Sequence, residues 1–473
     1  MHEDLGREYY LTGAGLKREP EFQAIYDRHA FLTSDEALAL ARTSGAAPLI
    51  EWVVDVRVGR AVAPLEEQQL VWEQEAQVEV GGTPIPYLRV PIDLANSSDR
   101  AHRLALDVAR TVEGARALND LRRRRFEQEH AMLEGLGLGR YVEALSELSG
   151  IDLDQLGEEA GAFLDVTAGL YDECLQQLAR RRLGLRLSEL QRADAAWLFR
   201  ADRFDHAFPP ADLVSTAARQ MAEMGLDHGV GGRVRFDTEE REGKQPRAFC
   251  VPVRVPEEVY LVLRPRGGHS DYRTFWHELG HAMHFASVDA TLPFEARWLG
   301  DNSVTEGFAM LWDHLTLDRG WLQRYTGLSG EEARDLQFEL TVGELFLARR
   351  YAAKLRYELE LHRSDLRSVA PRYAEYLGEA TRFRYPEDDY LLDVDPGFYA
   401  ARYLRAWQLE AALAAKLVDE CDEDWYRNPQ AGATVRALMQ RGQADPADRL
   451  AMNTTGVPLT FDTVTRRLER QLS

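Results

Sequence analysis

Five consecutive residues past the middle of the chain constrain it most: His277-Glu278-Leu279-Gly280-His281. On an α-helix, residues four apart share a face, with about 5–6 Å between their Cβ atoms. Both imidazoles can then chelate one Zn²⁺, and Glu278 can reach a water on that metal as a general base. The pattern therefore predicts a helix and one zinc ion per chain. On the motif alone, histidines that are merely packed or solvated on a helix face remain the alternative.

The residues around the motif favour a buried helix. Asp271 follows Ser270 where a first helical turn is expected, because acidic residues are enriched there. Phe275, Leu279 and Met283 place apolar side chains on the other faces of the same helix. Burying two histidines without partners costs free energy, and a bound metal ion would remove that cost.

A zinc site of this kind needs a third ligand. Glu306 lies 25 residues past His281, where the next helix is expected to begin. A second interpretation needs no metal, because Ser303-x-x-Glu306 also has the form of a capping box. Glu295 is a rival ligand. Asp313, two turns after Glu306, could orient a ligand histidine from behind or could simply be exposed.

The charge balance excludes some classes of function. Lysine and arginine total 57 and aspartate and glutamate total 78, so the formal net charge is −21 and the pI is about 5.1. A chain that binds nucleic acid through general electrostatics would be basic. An anionic membrane surface likewise attracts basic segments. We therefore expect neither nucleic acid nor a membrane as a partner.

Cysteine usage and the N-terminal residues indicate a compartment. The cysteines are far apart and form no Cys-x-x-Cys pair: Cys174, Cys250 and Cys421. A low, odd count is typical of a reducing cytosol. Glu3 and Asp4 interrupt any apolar signal core at the start, and no run of about 18 apolar residues could span a bilayer. The expected location is cytoplasmic.

Helical periodicity dominates the chain, so we expect a mainly α fold. A long amphipathic helix is predicted from Ser98 to about Glu134, a stretch with no proline and one glycine, Gly114. The residues expected on its apolar side are Leu104, Val108, Val112 and Leu118.

The character of the sequence changes near residue 228. Three short β-rich runs follow, at 234–236, 248–255 and 259–263. Pro252 inside the second run indicates an edge strand, because proline cannot donate to a ladder of hydrogen bonds. Helices then resume. We therefore expect an N-terminal helical lobe over 1–230 and a catalytic lobe with a small β-sheet over 231–473.

Three stretches resemble the thimet oligopeptidase and oligoendopeptidase F family of zinc metallopeptidases, which are gluzincins. The first runs from Phe275 to His284 and includes a histidine that the family tends to show after the metal motif. The second is Glu306 with the segment that follows it, at the family's spacing. The third is Gly397–Trp407, which is similar to the tyrosine-rich helix that the family sets over the zinc. The resemblance covers about residues 245–410.

By this resemblance, His277, His281 and Glu306 are the zinc ligands and Glu278 is the general base. The resemblance also implies a two-lobed ellipsoidal helical body with a small β-sheet beside the zinc and a deep substrate channel. Members of the family cleave peptides of limited length, because folded proteins cannot enter the channel. The implied function is a zinc-dependent peptidase that hydrolyses short peptides by a zinc-activated water.

The tyrosine-rich helix departs from the family's pattern. Phe398, Arg402 and Arg405 stand at three positions where relatives commonly carry tyrosine. The resemblance assigns oxyanion stabilisation by a phenol hydrogen bond to Tyr403, with Tyr399 as the second candidate. The alternative is that both are core aromatics. Arg402 or Arg405 could instead pair with the C-terminal carboxylate of a substrate, which would favour trimming of a short C-terminal piece.

Other functions on the same scaffold stay open. A metallocarboxypeptidase or a peptidyl-dipeptidase would release C-terminal pieces instead of cutting internally. A catalytically silent relative would hold peptides without cleaving them, although Glu278 would then have no chemical use. The ligand types favour zinc, and cobalt or manganese could replace it in vitro.

Overall fold

The computed structural model describes residues 1–245 and 247–472, and the chain is mainly α, as the sequence predicts. The α-helices of the described residues are α1 (His2–Gly13), α2 (Phe22–Arg28), α3 (Asp35–Ser44), α4 (Ala47–Glu75), α5 (Val90–Asn96), α6 (Arg100–Gly135), α7 (Tyr141–Ser149), α8 (Leu153–Leu183), α9 (Arg192–Leu198), α10 (Leu213–Glu223), α11 (His269–Ser287), α12 (Phe294–Trp298), α13 (Asn302–Asp313), α14 (Arg319–Thr326), α15 (Gly330–Arg363), α16 (Ala370–Thr381), α17 (Tyr399–Cys421), α18 (Pro429–Met439), α19 (Ala447–Thr455) and α20 (Phe461–Leu472). The strands are β1 (Gln77–Val80), β2 (Thr83–Pro86), β3 (Val234–Asp237), β4 (Phe249–Arg254) and β5 (Glu258–Val262). Over the same residues, no helix combines the length and the apolar character that crossing a membrane requires.

The chain folds into two compact units, each assembled from separated segments. The first unit consists of Met1–Val53, Asp202–Gln337 and Arg402–Arg467. The second consists of Val54–Ala201, Phe338–Ala401 and the end of the chain from Leu468. Residues 230 and 231, between which the sequence analysis places a lobe boundary, both lie in the first unit. Each unit therefore draws on both halves of the sequence.

Strands β3, β4 and β5 form a mixed sheet in the order β3-β5-β4. β5 runs parallel to β3, with Val234 opposite Val259, and antiparallel to β4, with Cys250 opposite Leu261. The three β-rich runs of the sequence are therefore confirmed as strands. Pro252 lies in β4, an edge strand of this sheet. An edge strand has a neighbour on one side only, so a residue without a backbone N–H is tolerated there.

Different helices cover the two faces of this sheet. Tyr260 of β5 stacks on Tyr10 of α1, with ring centroids 3.7 Å apart. Phe236 of β3 pairs with Leu261, the next residue along β5, and its ring centroid lies 6.2 Å from that of Phe275 in α11. Because successive residues of a strand point to opposite faces, α1 and α11 lie on opposite sides. The sheet thus supports the helix that carries the His-Glu-x-x-His motif.

The long helix predicted from Ser98 to about Glu134 is α6, and the prediction of its buried side is right for Leu118 but wrong for Val108 and Val112. Val108 and Val112 are 62% and 52% exposed. The residues that α6 buries are Arg103, Leu106, Thr111, Gly114, Leu118, Arg122, Phe126, Glu129 and Leu133. Arg103 can be buried because a carboxylate oxygen of Asp194 lies 3.1 Å from its guanidinium. Ion pairing inside the protein therefore overrides the hydropathy pattern of this helix.

The sequence analysis places no strand before residue 228, yet β1 and β2 form an antiparallel hairpin. Gly81 and Gly82 connect the two strands with φ of +60° and +77°. Two consecutive positive φ values suit the tight turn that matches the twist of a hairpin. Val78 anchors β1 in a core cluster with Tyr87 and Leu106. Two strands of four residues each are too short to stand out beside the helical periodicity of their neighbours.

Candidate metal site

The metal motif lies on α11, and its two histidines project from the same side of the helix. The Nε2 atoms of His277 and His281 are 3.2 Å apart. In the first turn, the Asp271 carboxylate accepts the backbone N–H groups of Arg266 and Gly267 at 2.7 and 2.9 Å. The loop that leads from the sheet is thereby tied to the helix before the motif begins.

Glu306 comes from α13, whose N-cap is Asp301. The Asp301 carboxylate accepts the Ser303 N–H at 2.9 Å, so the capping box considered at Ser303 is not formed. Ser303 is instead buried within the first turn, and Glu306 faces α11. Glu306 Oε2 lies 3.3 Å from His277 Nε2 and 3.5 Å from His281 Nε2.

Three potential ligand atoms therefore form a triangle with edges of 3.2, 3.3 and 3.5 Å. They are the Nε2 atoms of His277 and His281 and Oε2 of Glu306, and these residues form a group that could hold a metal ion. Zinc binds such atoms at about 2.0–2.2 Å, which places two ligands of a tetrahedral ion about 3.3–3.5 Å apart. The triangle thus has the size of one face of that tetrahedron, and the residues fit a single zinc ion.

The other nitrogen of each imidazole has a partner on α13. His277 Nδ1 donates to Asp313 Oδ2 at 2.8 Å, as the spacing of Asp313 from Glu306 suggests. His281 Nδ1 lies 2.9 Å from the hydroxyl oxygen of Thr305. Partners on Nδ1 fix the ring orientation and direct the Nε2 lone pairs to the centre of the site. Thr305 is not among the site residues predicted from the sequence, because nothing distinguishes it except its place before Glu306.

The electrostatics of the site favour ionised carboxylates. Burial opposes a charge on His277, but Asp313 and Glu306 outweigh it and raise the pKa of His277 to about 10. Burial also opposes a charge on Glu306, yet His281 and His277 hold its pKa well below the usual range. The pKa of Asp313 is lowered as well, because Arg273 and the neighbouring histidines outweigh its burial. Ionised carboxylates are the form that binds a metal ion or supports its ligands, whereas His277 has to release a proton when a metal ion binds, because a ligand imidazole is neutral.

Gly280 allows α11 and α13 to approach each other closely. A Cβ atom at this position would lie 2.5 Å from the Cα atom of Ala309 and 2.8 Å from the carbonyl oxygen of Phe308. Gly307 plays the same part on the other side of α13, where a Cβ atom would lie 2.8 Å from a methyl carbon of Leu409. Gly280 therefore sets the separation between α11 and the Glu306 helix, and Gly307 sets the separation between that helix and α17.

Glu278 is partly buried on α11, next to the first ligand candidate. Its carboxylate accepts a hydrogen bond from the backbone N–H of Cys250 in β4. Burial raises the pKa of Glu278, while the charges of His281 and His277 lower it less. The edge strand and the metal helix therefore hold this carboxylate between them.

Two residues near the motif lie outside the group. His284 is fully buried, its Nε2 lies 3.3 Å from the carbonyl oxygen of Gly442, and burial lowers its pKa to about 3. It is therefore a neutral histidine that packs in the core. Glu295, considered as a rival ligand, lies on α12. The group that the described residues form takes its carboxylate from Glu306 and not from Glu295.

The two candidate tyrosines stand one turn apart at the beginning of α17, and both are partly buried. Tyr403 belongs to the first compact unit, together with the metal group, whereas Tyr399 belongs to the second. The Tyr403 ring centroid lies 6.3 Å from that of Trp407. Neither phenol is part of the three-residue group, so their assignment to the oxyanion stays a prediction.

The arginines of α17 are engaged inside the first unit. Arg402 forms an ion pair with Glu51 and lies 3.7 Å from the carboxylate of Asp301, the N-cap of α13. Arg405 pairs with Asp448 and donates to Gln408 at 3.0 Å. Arg402 therefore connects α17 to the start of the Glu306 helix. These contacts argue against the proposed pairing of either arginine with a substrate carboxylate.

No protein-family model and no curated protein matches the chain, but solved structures share its fold. A protein provisionally named oligoendopeptidase F has a TM-score of 0.68 and 16% identity, covering 99% of this chain and 85% of its own. Another of that provisional name, from Bacillus anthracis str. Ames, has a TM-score of 0.63 and 14% identity, covering 99% and 82%. A provisional peptidase from Chlamydophila abortus has a TM-score of 0.62 and 14% identity, covering 94% and 80%. The chain therefore shares its fold with these three structures.

Proposed function

We propose that this chain is a zinc-dependent oligopeptidase of the oligoendopeptidase F type, which hydrolyses internal bonds of short peptides. The observation that carries the proposal is the triangle formed by His277, His281 and Glu306, whose size suits one zinc ion. Glu278 follows the first ligand candidate on the same helix, which supports a role as general base. The fold shared with structures named as peptidases supports the same reaction class.

A zinc ion held by His277, His281 and Glu306 would supply Lewis-acid activation of a water and of the scissile carbonyl. Glu278 takes the proton from the attacking water and delivers it to the leaving amine, so that it acts first as base and then as acid. The N–H of Cys250 holds the carboxylate of Glu278 in place for both transfers. Asp313 keeps His277 in the tautomer whose Nε2 is a ligand.

Stabilisation of the developing oxyanion is the remaining role. A phenol from α17 suits it, because a neutral O–H donor aimed at the forming charge stabilises the transition state more than the substrate. Tyr403 is the first candidate, since it shares a compact unit with the metal group, and Tyr399 is the second. Tyr403→Phe is expected to lower kcat by about 10²-fold with little change in KM.

The first experiment is mass spectrometry of a peptide pool of about 5 to 30 residues, incubated with the purified chain at near-neutral pH. Parallel samples contain a chelator, or a chelator followed by zinc. Cleavage that the chelator abolishes and zinc restores is expected, with products cut internally. Products shortened only by one or two residues at the C-terminus would favour the carboxypeptidase or dipeptidase alternative. Bound zinc without any cleavage would favour the peptide-binding one.

The second experiment is Glu278→Gln, which keeps the shape of the side chain and removes its basicity. Turnover should fall by about 10²–10⁴-fold, while the zinc content measured by atomic absorption stays near one per chain. Retention of full activity by Glu278→Gln would remove the general-base role.

A further inference from the structure

A second layer of buried charged side chains lies behind Asp313, away from the ligand triangle. It consists of His314, which follows α13, Glu410 of α17 and Arg467 of α20. His314 and Glu410 are buried, and the side chain of Arg467 is 12% exposed. All of them belong to the first compact unit, as does the metal group.

These side chains form a continuous series of contacts that ends at a ligand histidine. Arg467 forms an ion pair with Glu410. Glu410 Oε2 lies 2.9 Å from His314 Nδ1, and His314 Nε2 lies 3.5 Å from Asp313 Oδ1. The other oxygen of Asp313 accepts the hydrogen bond from His277 Nδ1 at 2.8 Å. The path therefore runs from α20 through α17 to the back of the metal site.

Burying these charged side chains costs free energy, which suggests a use beyond stability. Replacing buried ion pairs by apolar residues of similar volume is often neutral or stabilising, so ionic contacts are not needed to join helices. In this series, the carboxylate of Asp313 is approached on both oxygens: by His277 on one, and by His314 and Arg273 at 3.5 and 3.6 Å on the other. The groups on the Oδ1 side lie at ion-pair distance and favour this orientation of the carboxylate, while the hydrogen bond to Oδ2 orients the imidazole plane of His277 with it.

We propose that His314 and Glu410 are positioning residues of the metal site, which act through Asp313 to hold His277 in the geometry that binds the metal. The inference rests on the proposed function, because it requires that the site bind zinc. Arg467 balances the charge of Glu410 in the interior through their ion pair.

The test measures zinc affinity by competition with a chromophoric chelator, for the wild type, Glu410→Gln and His314→Gln. Both variants are expected to bind zinc about 10-fold more weakly, the lower end of the effect of groups that support metal ligands. Asp237→Asn is the matched control, because Asp237 forms a buried ion pair with Lys244 at 2.9 Å in the same unit but outside this series. The control should lose stability and keep the wild-type zinc affinity.

A double-mutant cycle separates positioning from general loosening of the core. If Glu410 acts through Asp313, the change in zinc affinity caused by Glu410→Gln should disappear in the Asp313→Asn background. The visible absorption of the Co²⁺-substituted protein should shift in Glu410→Gln and stay unchanged in Asp237→Asn. Circular dichroism of the metal-free proteins shows that each variant is folded, and His314→Gln interrupts the same path independently of Glu410.

The outcomes distinguish the two proposals. Zinc bound tightly by the wild type and equally tightly by folded Glu410→Gln and His314→Gln would overturn the positioning role and leave the proposed function intact. Additive effects of Glu410→Gln and Asp313→Asn would also overturn it, because independent action does not pass through Asp313. A wild-type chain that binds no zinc would overturn both proposals.

Discussion

Among the buried clusters of ionisable side chains in the described residues, two lie in different compact units and differ in their chemistry, because only one of them could hold a metal ion. The first is the group of His277, His281 and Glu306. The second surrounds Lys354 on α15 in the second unit. A comparison of the two shows which properties of a buried polar cluster indicate a ligand and which do not.

The second cluster compensates its charges internally. Lys354 Nζ lies 2.7 Å from Asp395, 3.6 Å from Asp393 and 3.9 Å from Glu358, and Arg350 pairs with Asp393. Glu358 also accepts the backbone N–H of Asp395 at 2.9 Å. Although burial opposes its charge, the three carboxylates raise the pKa of Lys354 above the ordinary value. Each carboxylate of this cluster therefore has a cation within about 4 Å, the usual range of an ion pair.

The first cluster differs in the direction of its lone pairs. Two imidazole nitrogens and one carboxylate oxygen converge on one point, while the outward nitrogens are engaged by Asp313 and Thr305. An arrangement of acceptors around a shared centre is what a cation with a preferred coordination geometry requires. Burial of charge is common to both clusters, and convergence of acceptor atoms is not. The comparison therefore predicts that replacing a buried carboxylate weakens zinc binding in the first cluster and leaves it unchanged in the second.

The largest expected difference concerns metal binding. Glu306→Gln removes the only carboxylate of the triangle, and the zinc affinity should fall by more than the roughly 100-fold limit seen for residues behind the ligands. Glu358→Gln is the matched substitution in the other cluster and should leave zinc binding unchanged. Competition with a chelator measures both. Zinc retained at full affinity by Glu306→Gln would exclude Glu306 as a ligand.

The next effect concerns stability and appears only in the second cluster. Lys354→Met keeps the length of the side chain but leaves Glu358, Asp393 and Asp395 without its charge, which should cost about 3–5 kcal/mol. Lys416→Met is the control, because Lys416 pairs with Glu420 at 2.6 Å on an exposed surface, where such pairs contribute about 0–1 kcal/mol. Chemical denaturation followed by circular dichroism compares the two variants. Equal losses would contradict the assignment of a buried, compensated cluster.

The pH dependence of the second cluster follows from Glu358. Burial raises the pKa of Glu358 to about 8, and the charge of Lys354 lowers it less. Between pH 4.5 and 8 the folded chain binds this proton more tightly than the unfolded chain, so its stabilising contribution is lost as the pH rises. As the pH rises from 5 to 8, Glu358→Gln should therefore become more stable relative to the wild type, by up to about 4 kcal/mol. Each pH unit in this range corresponds to about 1.4 kcal/mol. The difference in unfolding midpoints, measured from pH 5 to 9, should level off above pH 8.

The residues of the first cluster could be predicted from the sequence and those of the second could not, for a physical reason. His277, Glu278 and His281 lie within one and a half turns of one helix, so their spacing alone defines their common face. Glu306 is on a second helix, and its place in the sequence is compatible with a metal ligand and with a capping box. Contacts between separate helices exclude the capping box, since Asp301 caps α13, and they bring Glu306 to the histidines.

Two of the features that were not predicted depend on long-range pairing. Residues that lie far from Lys354 in sequence complete its cluster, and no local pattern identifies them. Likewise, the buried face of α6 follows the ion pair between Arg103 and Asp194 instead of the valines at 108 and 112. Periodicity predicts which segments are helical, because it is a local property, but it misplaces faces whose burial is set by partners distant in sequence.

The smallest expected effect tests how tightly the metal site is built. Gly280→Ala places a methyl group 2.5 Å from the Cα atom of Ala309, so α11 and α13 must separate, at a cost of about 1–3 kcal/mol. Gly169→Ala is the control in α8, because a methyl group at this exposed position meets nothing within 4 Å and should stabilise the helix by up to about 1 kcal/mol. Separation of the helices also moves Glu306 away from His281, and zinc affinity should fall in Gly280→Ala alone. Thermal unfolding and chelator competition on both variants measure this difference, and an unchanged zinc affinity in Gly280→Ala would show that the ligands adjust independently of the helix spacing.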